Sequence, residues 1–182
     1  MQRCGSPSAF AVNPALLALA TLGLPVPVTA QHEHRSPYAG HEELEISSLS
    51  PDQLRELRAG EGMGQARPAE LNHYPGPKHA LEMATELGLS TRQVEALTDT
   101  RRGMLGHAIA TGEDIIEAER DLTELFRQGR PDEAAVQERA VALGVKYGEL
   151  RAIHLVPHLE TAELLSDEQI DLYDALRGYH NR

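Results

Sequence analysis

The chain has little sulfur, few large rings and a deficit of positive charge. Its only cysteine is Cys4, it has no Trp, two Phe and five Tyr, and 28 acidic residues outnumber 17 Lys and Arg. A single thiol can form no internal disulfide. Cys4 also precedes the apolar run from Pro14 to Val28, so it would leave with an export signal and is badly placed for lipid attachment. Any metal chemistry in the remaining chain must then use His, Met, Asp, Glu or backbone groups. Large rings dominate core burial. A chain with so few fits a thin helical layer, completed by a partner subunit, better than a thick α/β core. The formal charge of −11 disfavours nucleic acid, whose phosphates need clustered Lys and Arg. It is compatible with cation binding and equally with plain solubility.

Catalytic signatures are missing as well. There is no G-x-S-x-G, no H-E-x-x-H, no phosphate-binding glycine loop and no thiol nucleophile. Glu113, Glu117, Glu119 and Glu124 are spaced along one helical stretch and read as a solvated face. The expectation is a non-enzyme without an organic cofactor.

The N-terminus reads as a secretory signal. Arg3 is the only basic residue in 1–30, the run ALLALATLGLPVPV follows Pro14, and Val28-Thr29-Ala30 offers a cleavage point before Gln31. The run is short for a membrane span, and Pro25 and Pro27 would spoil its last turn, so an uncleaved anchor is the weaker alternative. From Gln31 the chain carries −12. We therefore divide it into a signal peptide (1–30), an irregular His-containing segment (31–76) and a helical hairpin domain (77–182).

Within 31–76 one short helix is expected from Ser50 to about Ala59, followed by a Gly-rich patch from Gly60 to Gly64. Tyr74-Pro75-Gly76-Pro77 is a strong turn signal, and Pro77 suits the first turn of a helix running to Gly88. Ser90 with Gln93 forms a near capping box. Val94, Leu97, Met104, Ala108, Ile115, Leu122 and Phe126 then mark one helical face. At 1.5 Å per residue this helix would be about 55–60 Å long. Gln128-Gly129-Arg130-Pro131 stops it. A second stripe runs through Val136, Ala140, Leu143, Tyr147, Leu150 and His154, is interrupted by Pro157, and closes at Leu164-Leu165. Ser166-Asp167-Glu168-Gln169 caps a last helix from Ile170 to about Tyr179. The fold class is all-α: a long antiparallel helical hairpin with short flanking helices, since a tight turn between two long helices forces them antiparallel.

A short pattern recurs: Leu49-Ser-Pro-Asp-Gln53, Leu89-Ser-Thr-Arg-Gln93 and Leu165-Ser-Asp-Glu-Gln169. The last two flank the hairpin. With the export signal and the helix–turn–helix order, they make residues Pro77 to Tyr179 resemble the Spy/CpxP superfamily of periplasmic proteins, including CnrX-like and ZraP-like heavy-metal sensors and resistance proteins. Pro37-Tyr38-Ala39-Gly40 and Glu70-Leu71-Asn72 also look like a subgroup of heavy-metal sensors. The resemblance implies a hooked, often dimeric helical fold in the periplasm. Its members bind metal ions, shield misfolded clients or repress an envelope stress signal. Implied partners are a second copy of the chain, a membrane-bound signalling protein or unfolded clients.

Histidine placement points the same way. His154 and His158 are four apart, which puts two imidazoles on one helix face about 6 Å apart. Such a pair suits Zn, Cu, Ni or Co. Taking Arg130 as the turn centre, His107 lies 23 residues before it and His154 lies 24 after, so antiparallel helices bring them to one level. Met104, on the same stripe, could add a thioether. The candidate set is Met104, His107, His154 and His158. Pro157 would kink the helix between the last two, opening the site or spoiling it. The competing reading makes His154 a hydrogen-bonded core residue, His158 a solvent-facing one and Met104 a gap filler. A weaker second set is His32, His34 and His41 with Glu33 and Glu42. His79 with Met83 is weaker still.

Overall fold

The computed structural model describes residues 36–179, so the export signal expected at 1–30 and His32, His34 and His180 lie outside the described residues. Regular structure among the described residues is helical throughout: α1 (Pro51–Ala59), α2 (Arg67–Glu70), α3 (Pro77–Glu82), α4 (Thr91–Arg127), α5 (Glu133–Leu164) and α6 (Asp167–Arg177). None of these helices is long and apolar enough to cross a membrane.

Three helix starts are written by the recurrent motif. Ser50, Ser90 and Ser166 each accept from the backbone N–H three residues on, while Gln53, Gln93 and Gln169 accept from the serine N–H. Each is a complete capping box, satisfying two donors that would otherwise be orphaned at the helix end. The long helices are joined by a short turn. Gly129 (φ +78) and Arg130 (φ +49) take left-handed conformations there, and Asp132 caps α5 by accepting from the Ala135 N–H at 3.2 Å.

Cross-helix bonds fix the direction of the pair. Gln93 Nε2 donates to the Leu164 carbonyl, Thr100 to Glu160, Lys146 to Asp114 and Tyr147 to Glu119. From 93 to 119 on α4 the α5 partners run back from 164 to 146 and 147: the helices are antiparallel. Apolar burial splits in two along them. Near the turn, Ile46, Leu49 and Leu57 pack with Ala108, Ile115, Ile116, Leu143 and Leu150. At the open end, Ala80, Leu87 and Leu97 pack with Leu165, Ile170 and Tyr173. A fully buried Leu or Ile such as Leu97, Ile115 or Leu150 stabilises by about 1.5–3 kcal/mol relative to exposure.

The structure departs from expectation in four places. The segment before Pro77 is less irregular than predicted: from Tyr38 onward it belongs to the same compact unit as the long helices, and it supplies Ile46, Leu49 and Leu57 to their core. The helix starting at Pro77 ends at Glu82, and turns lead on to Gly88. Pro157 does not interrupt α5, which runs on to Leu164. A proline removes one ladder bond, and here both flanking turns are buried through His154, His158 and Thr161, with the Thr161 hydroxyl donating to the Pro157 carbonyl at 2.7 Å. Glu119, assigned to a solvated face, is buried, accepting from Ser48 Oγ at 2.5 Å and from the Tyr147 hydroxyl at 3.0 Å.

α5 is also apolar on its outer side. Val141, Val145, Val156 and Leu159 are exposed, and with Gly148 and Ala152 they fall on one line down the helix.

Candidate functional site

Between the two apolar clusters the core opens into a cavity of about 730 Å³. Its floor is α5, its side wall the Met104–Leu105 stretch of α4, and its other wall the Gly60–Gly64 loop after α1. The two inward histidines of α5 stand at its base.

His154 is only 3 % exposed, and its Nε2 is sealed from solvent without a hydrogen-bond partner. Burial, and then the neighbouring His158, hold its pKa below the ordinary imidazole value, so the ring is neutral at pH 7. A buried polar atom left unpaired costs about 1–3 kcal/mol. His158 is 6 % exposed, and its Nδ1 lies 2.8 Å from the Tyr74 carbonyl oxygen. A carbonyl only accepts, so Nδ1 carries the proton; in the neutral ring Nε2 then keeps its lone pair. This is how metal-ligating histidines are commonly oriented, the far nitrogen tied to a carbonyl or carboxylate.

A carboxylate is held beside His158. A Cβ placed on Gly76 would lie 2.9 Å from both Glu70 Oε1 and His158 Cε1, so the two side chains meet over this glycine and leave no room for a methyl group. Glu70 accepts from Tyr173 at 3.0 Å and Tyr179 at 2.8 Å, with Arg177 at 3.8 Å. Burial, with Glu70 contributing, pushes both phenols up from their ordinary value, keeping them neutral donors.

The predicted residues part company here. Met104, His154 and His158 line the one cavity. His107 does not: it stands at the level of His154, but it precedes fully buried Ala108 by one residue and is turned to solvent. Sequence spacing gave the level along the helix but not the angle around it. His79 is on the cavity wall with its Nδ1 2.8 Å from Glu82, whereas Met83 packs into the open-end cluster. Of the second set, His41 is exposed beside the Tyr38 ring, and His32 and His34 are outside the described residues. His73, for which the sequence offered no role, has its Nδ1 2.6 Å from buried Asp174.

Among the described residues no three His, Cys, Asp or Glu side chains form a group that could hold a metal ion. The protein therefore offers two imidazoles, with Met104 on the same cavity, rather than a closed ligand set. Glu70, Tyr74, Tyr173 and Tyr179 were not foreseen as parts of the site. Tyr74 meets His158 across 84 residues of chain, and Glu70 meets Tyr173 and Tyr179 across 103 and 109, beyond the reach of any local pattern. The one available signal was Glu70-Leu71-Asn72.

The fold thus defines an all-α protein with a cavity-bearing long helix pair. No family model, no curated protein and no solved structure matches the chain.

Proposed function

We propose that this is an exported, non-catalytic metal-binding protein of the heavy-metal sensor or resistance kind, acting in the periplasm and related to the Spy/CpxP proteins. A transition metal such as Zn, Cu, Ni or Co is held at the base of the cavity by His154 and His158, with Met104 available as a soft third donor. The observation that carries this reading is the buried, unpartnered Nε2 of His154. The Nδ1-protonated form of His158 and the neutral state of His154 support it, because only a deprotonated imidazole nitrogen ligates. Coordination spans the level where α4, α5 and the Gly60–Gly64 loop meet. Filling it changes how tightly these elements close, and that change passes a signal to a membrane-bound partner.

Calorimetric zinc titration of the exported chain tests this. His154→Ala/His158→Ala is expected to weaken binding by at least tenfold. Equal binding by both proteins removes the site.

A second reading, a Spy-like holdase, is favoured by one observation, the outer stripe of α5 with Val141 61 % and Leu159 51 % exposed. An apolar line of this length suits an unfolded client or a second copy of the chain. The homodimer expected from the thin core would cover it. Suppression of a denatured client's aggregation in the presence of chelator, lost in Val145→Asp/Val156→Asp, supports the holdase; no suppression rejects it.

A further inference from the structure

The cavity is far larger than a metal ion needs. At about 730 Å³ it lies in the range of small-molecule sites, and the two histidines occupy only its base. Its electrostatics also run against those of the whole chain. In a protein of net charge −11, the lining carries Arg67, Lys78, Arg101 and Arg177 against two acids, Glu61 and Glu70.

The charges that are accounted for can be set aside. Glu70 is already satisfied by Tyr173, Tyr179 and Arg177. Arg67, Lys78 and Arg101, by contrast, make no direct ion pair among the described residues, although Glu82 lies near enough to Lys78 and Arg101 to feel their charge. Five of the other ten arginines among the described residues are ion-paired: Arg55, Arg58, Arg102, Arg120 and Arg177. Three cations without a direct ion pair therefore line one concave site, where low-dielectric walls focus their field on an incoming anion. They come from three different elements, α2, α3 and α4. Charges spread over three elements match an anion whose own charges are spread over several groups, rather than a single compact one.

We propose that the cavity binds a small organic anion carrying two or three carboxylates, gripped at the mouth by Arg67, Lys78 and Arg101. Its body lies along Met104 and Leu105. The site shares its cavity with the metal reading without depending on it. Where a metal is present on His154 and His158, an inward carboxylate would supply the coordination positions that the protein leaves open.

The test is calorimetric titration of the metal-free exported chain with propane-1,2,3-tricarboxylate, beside Lys78→Ala/Arg101→Ala. Both side chains are exposed, so the variant should melt like the parent. Saturable binding by the parent, weakened about tenfold in the variant and restored by Lys78→Arg/Arg101→Lys, is the expected result. No saturable binding at millimolar probe, or equal binding by parent and Ala variant, overturns the proposal. Zinc titration of the same variant should be unchanged. Anion binding that survives in a protein without zinc affinity leaves this site standing and removes only the metal reading.

Discussion

His154 and His158 show what one turn of helix can do to two identical side chains. Both are inward, yet one is anchored through Nδ1 to Tyr74 while the other keeps a buried nitrogen without any partner. The pKa of His154 is lowered, chiefly by burial, so the unfolded chain takes up a proton near pH 6.5 that the folded protein resists. Where the unfolded state binds more protons, stability rises with pH. Chemical denaturation followed from pH 7.5 down to 5 should therefore show stability falling through and below pH 6.5, with a shallower fall in His154→Gln. Equal slopes would mean that His154 does not titrate as its surroundings dictate. The spacing of the two histidines was legible in the sequence; their surroundings were not, because Tyr74, Glu70 and Gly76 reach them only through tertiary contact.

The helices themselves were the easiest part to read, since capping boxes and apolar periodicity are local. The recurrent Leu-Ser-x-x-Gln motif turns out to do more than start helices. Gln93 Nε2 donates to Gln169 Oε1 at 2.8 Å and to the Leu164 carbonyl, while Gln169 Nε2 donates to the Leu87 carbonyl. The starts of α4 and α6 are thus tied to each other at the open end of the pair, which explains why two copies flank the hairpin. Gln53, the third copy, forms only its local capping box. How α1 docks was not legible. Its last turn passes over Gly112 of α4, where an added Cβ would press on the Leu57 carbonyl. A backbone carbonyl cannot swing aside as a side chain can. Gly112→Ala should cost about 2–3 kcal/mol and lower Tm by about 4–10 °C, measured by thermal melting. Gly103→Ala, on the same helix with open space around it, should stabilise by about 0.5–1 kcal/mol. An unchanged melt for Gly112→Ala would place α1 elsewhere.

At the scale of the whole molecule, shortage of aromatics and an all-helical pattern pointed to a thin layer; the structure has two apolar clusters with a cavity between them. That gap could not be read from the sequence because it depends on where the leading segment lands. Ile46, Leu49 and Leu57 fill the turn half and Ala80 and Leu87 the open half, while the Gly60–Gly64 loop between them, exposed from Glu61 on, adds no residue to either cluster. At this level α5 presents the imidazoles of His154 and His158, where nearer the turn it presents Leu143 and Leu150. The proposed role of these imidazoles is to receive a metal ion. Long-range ¹H–¹⁵N correlation spectra of the histidine rings during zinc titration of the chain from Gln31 onward address it directly. The account predicts that the ring nitrogens of His154 and His158 shift first and together. First shifts confined to His32, His34 and His41, with His154 and His158 unmoved, would contradict it.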